Sequence, residues 1–461
     1  MISNVTSGYH GEKRMRRRDM IGGAGALGLV SMAGCQSSLL AAPAATGRGE
    51  AGLEQAFLYA YPLYEIARSG QNRAAQPGLN RIGHRATLAD ASMRQITAPN
   101  NDTIYSSAQL ELSEGPVEVN APTDLKRYFN ITFMDAFTDN FAAIGTGPTE
   151  GRGGRFWIAG PDWAGAAPGG VTVLRSSTND VWMLGRIVIE GRDDLAAAKS
   201  LQAQITVLPT GDKPPRPFAV KATSVEDPQN FLSVVNEMLS RSPGARGHLG
   251  RRGLYTDVGI SGVMQAQPTE QLLEAWRTYL PKGLAMLRET FQFRHLISDG
   301  WSYQERGVGA FAASDKVRAA IALGGLAALP ENEAMYFHSL FEPSSTEVLT
   351  GARKYVWRVP PGGVPVDAFW SLTMYQPEDD GRYFFTENPV NRYSIGDRTD
   401  GLVRNPDGSI DILIQRNKPD GEMAANWLPA PAGPLRLALR AYLPKAELRE
   451  RRWKIPALKR I

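Results

Sequence analysis

Two short stretches decide the fold class: VWMLGRIVI at residues 181–189 and YFNITFM at residues 128–134. Both are dense in β-branched and aromatic side chains, which fit a pleated, half-buried surface. Gly, Pro, Asn and Asp clusters bound them, as turn residues bound strands. Similar runs recur at 117–119 (VEV), 155–159 (RFWIA) and 171–174 (VTVL), so the region from about 98 to 209 reads as antiparallel strands and turns. The same texture returns after Pro330, at 354–359, 368–374, 410–415 and 435–442. Its turns carry Asp407-Gly408 and Asp420-Gly421, pairs that favour tight hairpins because glycine tolerates positive φ.

Helical spacing separates the two β regions. Residues 193–203 read as a short helix, and the proline-rich stretch TGDKPPRPF at 210–218 reads as a connector. From 227 to about 329 the apolar residues fall on helical faces: Phe231, Val235 and Leu239; then Leu272, Trp276, Leu280 and Leu284; then Val317, Ala320 and Ile321. An amphipathic helix is expected over 50–69 as well, through Leu53, Phe57, Tyr61, Leu63 and Ile66, with Pro62 kinking it or ending its first half. The expectation is a mainly β protein with a helical insert, two β units on either side of a helical segment.

The chain has 461 residues, 43% of them hydrophobic and 21% charged, with a single cysteine. That composition excludes disorder, a disulfide scaffold, a four-cysteine zinc site and a CxxC redox pair. Net charge is +4, and residues 1–34 hold five basic against two acidic residues. The remainder is nearly neutral, which excludes nucleic acid as a partner.

The basic run ends in Arg17-Arg18-Asp19-Met20-Ile21 and precedes an uncharged, Gly/Ala-rich stretch over 20–34. Fifteen residues are too short to span a bilayer and fit the apolar core of a signal peptide. The Arg pair resembles a twin-arginine export signal. Ser31-Met32-Ala33-Gly34-Cys35 resembles a bacterial lipobox, which would make Cys35 the acylated first residue and the membrane a partner through a lipid anchor. Met32 stands where that pattern has Leu, so cleavage nearby by an ordinary signal peptidase is the alternative. The expected location is the periplasm or cell envelope.

Two polar blocks stand out. In Pro99-Asn100-Asn101-Asp102-Thr103-Ile104-Tyr105, adjacent short oxygen-bearing side chains suit either a hard cation such as calcium, with Asp102 as ligand, or a turn. In Met134-Asp135-Ala136-Phe137-Thr138-Asp139-Asn140, Asp135 and Asp139 form a carboxylate pair for acid/base chemistry, or caps. The glycine-rich 145–154 that follows lacks the Lys-Ser/Thr of a phosphate-binding loop and reads as a hairpin loop. His10, His84, His248, His295 and His338 show no HxH or HExxH spacing, and no GxSxG occurs.

The segments 80–112 and 133–163 resemble the bacterial family called domain of unknown function (DUF) 1254. The segments 364–376, 388–398, 407–415 and 425–445 resemble its C-terminal companion, DUF 1214. The resemblance spans about residues 50–461 and implies two β-sandwich, jelly-roll-like domains with helices between them. With it, the chain divides into a signal peptide (1–34), a tether (35–49), an N-terminal domain (50–209), a connector and helical segment (210–330) and a C-terminal domain (331–461).

His84, inside the first block, is the candidate general base beside Asp135 and Asp139. Asn100, Asn101, Asp102 and Tyr105 are candidates for positioning a substrate. Asn391, Arg392 and Tyr393 sit in a loop-rich stretch where Arg392 and Asp397 can brace a loop or hold an anion. Trp427 lies in a rigid aromatic turn that either packs on a sheet or offers a platform to a sugar or acyl group. The expected activity is that of an exported hydrolase or lyase acting on a small or oligomeric substrate, with a non-catalytic lipid-, glycan- or metal-binding envelope lipoprotein as the alternative. An oligomer is compatible with either.

Overall fold

The structure, a computed structural model, describes residues 49–94, 97–123, 125–191, 193–243, 247–264, 267–310, 314–379 and 381–461, with the side chains of 247–250 outside that description. The signal, the lipobox and Cys35 fall outside the described residues. Among those residues no helix is long and apolar enough to cross a membrane.

The chain enters through α1 (Glu50–Ala75) and reaches the first β unit. Its strands are β1 (Ile82–His84), β2 (Thr103–Glu111), β3 (Val117–Ala121), β4 (Phe129–Asp135), β5 (Asn140–Gly145), β6 (Gly154–Ala159), β7 (Val171–Arg175), β8 (Asp180–Val188) and, after α2 (Leu195–Gln202), β9 (Thr206–Pro209). They form one sheet in the order β1-β2-β8-β4-β5 and a second in the order β7-β6-β3-β9. Ile104, Leu110, Phe129, Ile131, Phe133, Met183 and Ile187 of the first sheet share a core with Val117, Val119, Phe156 and Ile158 of the second. Two sheets with one core between them make a sandwich.

Side chains alternate along a strand, so that core takes only one face of the first sheet. The other face carries Gln109, Ser107, Tyr105 and Thr103 on β2, opposite Trp182, Leu184, Arg186 and Val188 on β8. Helices cover one end of it. These are α3 (Pro228–Ser240), α4 (Glu270–Phe291) and α5 (Asp315–Gly324), joined by α1, and their core takes in Met134 and Trp182 of the sheet. Phe57 of α1 packs against Phe231 of α3 and Tyr279 of α4, with ring centroids 6.1 and 5.7 Å away. Gly283 of α4 leaves the room for it, since a Cβ there would lie 2.8 Å from the Phe57 ring.

Pro62 does not end α1, which runs on to Ala75. Every residue from Ala56 to Ala67 is buried, and packing on all sides offsets the roughly 3 kcal/mol that an interior proline costs.

The second β unit consists of β10 (Ile297–Ser298), β11 (Trp301–Tyr303), β12 (Ala334–Ser339), β13 (Tyr355–Val359), β14 (Val366–Pro377), β15 (Tyr383–Phe384), β16 (Ser394–Gly396), β17 (Ile410–Gln415), β18 (Trp427–Pro429), β19 (Arg436–Pro444) and β20 (Lys459–Arg460), with α6 (Ala446–Arg449) before the last. One sheet has the order β10-β11-β12-β19-β14-β15 with β16 also on β14, and the other has the order β18-β17-β13-β20. Trp301, Phe337, Trp370, Leu372 and Leu439 face Trp357, Ile412 and Ile414 in their common core. The fold is β-rich and two-domain with a helical insert, as the strand texture implied.

The larger C-terminal sheet also has a second face. Register puts Tyr336, Arg440 and Ser371 side by side on it, then His338, Ala438 and Thr373, with Arg436 opposite Tyr375. This polar face and the uncovered end of the N-terminal sheet meet in a seam.

Candidate functional site

The Pro-Asn-Asn-Asp-Thr block runs along this seam, and side chains of the second β unit hold it. Arg440 donates to the Ala98 carbonyl at 3.1 Å, and the Tyr375 hydroxyl donates to the Pro99 carbonyl at 2.5 Å. Asn100 accepts from the Asp102 amide at 2.7 Å, a local turn, and donates to the Tyr442 hydroxyl at 2.7 Å. Ser394 donates to Asn101 at 3.0 Å. Asp102, 4% exposed, accepts from Ser371 at 2.5 Å and Ser394 at 3.1 Å, and pairs with Arg398 at 3.4 Å.

That surrounding can be set against the calcium expectation. A calcium ion needs six to eight oxygen ligands, whereas Asp102 meets two hydroxyl donors and a guanidinium. Among the described residues no group of three His, Cys, Asp or Glu side chains is placed to hold a metal ion.

Behind the block lies a cluster rich in arginine and tyrosine. Tyr105 on β2 is the register partner of Arg186 on β8, which is partnered in turn by Asn130 on β4. The Arg186 guanidinium lies 5.8 Å from the Tyr105 ring and donates to the Ala327 carbonyl at 2.9 Å, with Thr132 at 3.5 Å. Arg440 donates to Thr373 at 2.7 Å and to the Tyr375 hydroxyl at 2.6 Å. Glu333 accepts from Tyr128 at 2.6 Å and Asn130 at 2.9 Å, and burial pushes its carboxyl up. Burial also raises the Tyr336 and Tyr442 phenols, so both stay neutral donors. Arg186 and Arg440 are each 5% exposed, and neither has a carboxylate within 4 Å among the described residues.

The other sequence candidates lie elsewhere. Asp135 accepts from the amides of Phe137 and Asp139 at 2.9 and 3.0 Å and from Ser177 at 2.5 Å. Asp139 pairs with Arg318 of α5 at 3.0 Å. The two aspartates therefore shape a turn and tie the sheet to the helices, and burial raises the Asp135 carboxyl, with Asp139 adding to it. Thr103 pairs with Val188, while Asp135 pairs with Val181 seven residues along β8. At strand rise that separates Asp102 from Asp135 by about 23 Å.

His84 is an edge residue whose Nδ1 lies 2.8 Å from the Ser106 hydroxyl. Ser106 points to the face opposite Tyr105, so His84 faces away from the seam. The trio of His84, Asp135 and Asp139 is not assembled in one place.

Arg392 donates to the carbonyls of Ala425 and Trp427 at 2.9 and 2.8 Å instead of pairing with Asp397, whose carboxylate accepts weakly from the Trp370 amide. Tyr393 stacks on Phe385 with ring centroids 4.7 Å apart, and Asn391 takes a positive φ of 48° in an exposed turn. Trp427 is buried and donates to the Gln415 carbonyl at 2.8 Å, which makes it core and not a ligand platform. The glycine-rich 145–154 joins β5 to β6, and a Cβ on Gly147 would lie 2.5 Å from Leu443. That loop is pressed against the second β unit.

Sequence reading missed Arg186, Arg440, Tyr336 and Tyr442. Arg186, Arg440 and Tyr442 sit inside runs read correctly as strands, where an arginine among aliphatic neighbours, as in VWMLGRIVI, was the available signal.

The chain is a two-domain protein of β-sandwich class with a polar seam. Residues 79–209 match the family described as protein of unknown function (DUF1254), and residues 333–446 match protein of unknown function (DUF1214). The chain thus carries a DUF1254 region followed by a DUF1214 region.

It is similar to the VPA0106 protein from Vibrio parahaemolyticus, with 25% identity and a TM-score of 0.67 over 89% of this chain and 99% of that one. An uncharacterized protein from Burkholderia cenocepacia aligns with 11% identity and a TM-score of 0.47 over 91% of each chain. No curated protein matches.

Proposed function

We propose that this is an exported, lipid-anchored envelope protein whose folded body binds a small organic anion in the seam between its two β units. One observation carries the reading: Arg186 and Arg440 rise from facing sheets, are buried among tyrosine hydroxyls, and have no carboxylate partner among the described residues. Glu333 and Asp102 act on these guanidiniums only from beyond 4 Å, and a bound anion would supply a counter-charge in contact. Tyr105 and Tyr336, both partly exposed, stand beside Arg186 and Arg440. Export and acylation at Cys35 rest on the twin-arginine and lipobox patterns alone.

A hydrolase or lyase needs its acid and base within reach of one reacting group. His84, Asp135 and Asp139 are dispersed and the seam phenols are raised, so binding is the reading this geometry supports.

Native mass spectrometry of the protein from its own envelope fraction tests both parts. An acidic small molecule retained by the wild type and lost from an Arg186→Met/Arg440→Met variant is the expected result. A clean apo mass, with melting temperature unmoved by any organic anion, would sink the binding proposal. An unmodified N-terminus ahead of Cys35 would sink the anchor.

A further inference from the structure

We propose that Arg436 and His338 form a carboxylate subsite that takes the head group of a short-chain monocarboxylate; the inference rests on the anion-binding reading for the sign of the ligand. Arg436 lies at the start of β19, four residues before Arg440 and on the same face, about 13 Å along the strand. It is 8% exposed, and its guanidinium stacks over the Tyr383 ring at 4.2 Å. Among the described residues it has no hydrogen-bond or ion-pair partner, and its buried Nε is unsatisfied. Of its five donors the Nε–H is buried with no acceptor, while the terminal nitrogens stay open beside the cavity, a fork left free to take up an acceptor from outside.

The space in front of it is a built one. Arg436 and His338 line a half-open cavity of about 20 Å³, which seats one water-sized group, so a carboxylate would place one oxygen in it and the other toward the opening. His338 Nδ1 is buried there without a partner. Arg294 stands at the rim, and Ile297, Leu340 and Phe341 give the opening an apolar wall. Among the described residues no Asp or Glu lines the cavity. Arg440, the nearest cation on β19, adds positive potential instead of neutralising it.

A planar two-oxygen head matches the guanidinium fork, and a short alkyl tail matches the wall. His338 completes the head-group contact as a neutral donor. Burial keeps the imidazole uncharged, with Arg436 and Arg440 acting in the same direction.

Titration calorimetry with hexanoate on the full mature protein is the test. Hexanoate is expected to bind, with hexanamide about tenfold or more weaker and Arg436→Gln lowering hexanoate affinity about tenfold or more. Equal affinity in a folded Arg436→Gln variant, or equal binding of the amide, overturns the subsite. Should Arg436→Gln fail to fold, wild-type crystals soaked with ω-bromohexanoate decide. Carboxylate density on Arg436 supports the proposal. Density on Arg186 or Arg440 alone overturns this subsite and leaves the seam reading standing. No density and no heat overturn both.

Discussion

Two buried arginines, Arg241 and Arg436, have opposite surroundings. Arg241, 1% exposed where α3 meets the N-terminal sheet, makes a bidentate pair with Asp180 at 2.7 and 3.0 Å. It also donates to the carbonyls of Pro217 and Arg216 at 2.8 and 2.9 Å and lies 3.6 Å from Glu237. Arg436, 8% exposed, lies over the Tyr383 ring and has no hydrogen-bond or ion-pair partner among the described residues. The first arginine staples the connector and the helices to the sheet. Arg241 is fully paired where its job is structural, whereas Arg436 on the seam face keeps an open fork, which suits a group arriving from outside.

The comparison breaks if burying an unpaired guanidinium turns out to cost little here. Asp180→Ala leaves Arg241 without its counter-charge and is expected to lower unfolding free energy by about 3–5 kcal/mol, the largest single effect we expect. Chemical denaturation measures it. A loss under about 1 kcal/mol would show that this interior tolerates lone arginines, and the vacancy around Arg436 would lose its meaning. Asp102→Ala removes the acceptor of Ser371 and Ser394 and the partner of Arg398, with an expected loss of about 1–3 kcal/mol in the same assay. Asp102→Asn should lose less, since it keeps one acceptor. An unchanged melt for both would mean that the Pro-Asn-Asn-Asp-Thr block does not hold the seam.

The strands were legible where the chain is β-branched. Residues 410–415 were read at their observed limits, and β4, β6, β8 and β14 within a few residues. β5 (NFAAIG) and β12 (AMYFHS) carry no such signal. Neither is rich in β-branched residues, and both depend on long-range register with neighbours. The polar blocks were visible but their roles were not. Asp102 and Asp135 look alike as short Asn/Asp runs, yet one is held by residues about 270 positions away and the other by amides two and four positions on. Spacing reports local bonds and says nothing of which sheet face will be covered. For that reason the arginines of the seam, invisible as a motif, were found only once two sheet faces were laid against each other.

The smallest expected effect sharpens the comparison by titration. Burial, with Arg436 and Arg440 acting in the same sense, holds His338 well below its ordinary 6.5 in the folded protein. The unfolded chain takes up a proton below about pH 6.5 that the folded protein refuses, so stability falls as pH drops through that value and is unaffected above it. The slope from this one group is at most about 1.4 kcal/mol per pH unit. Melts of the wild type and His338→Gln between about pH 7 and about pH 5 isolate it, because every other titrating group is common to both. A carboxylate bound at Arg436 would stabilise the imidazolium and return the folded value toward 6.5. Saturating hexanoate should therefore flatten the wild-type decline and leave the His338→Gln curve parallel to its ligand-free form. An identical slope in the two proteins would mean that His338 reaches water freely. Arg436 would then be a solvated cation, and its difference from Arg241 would be one of exposure and not of purpose.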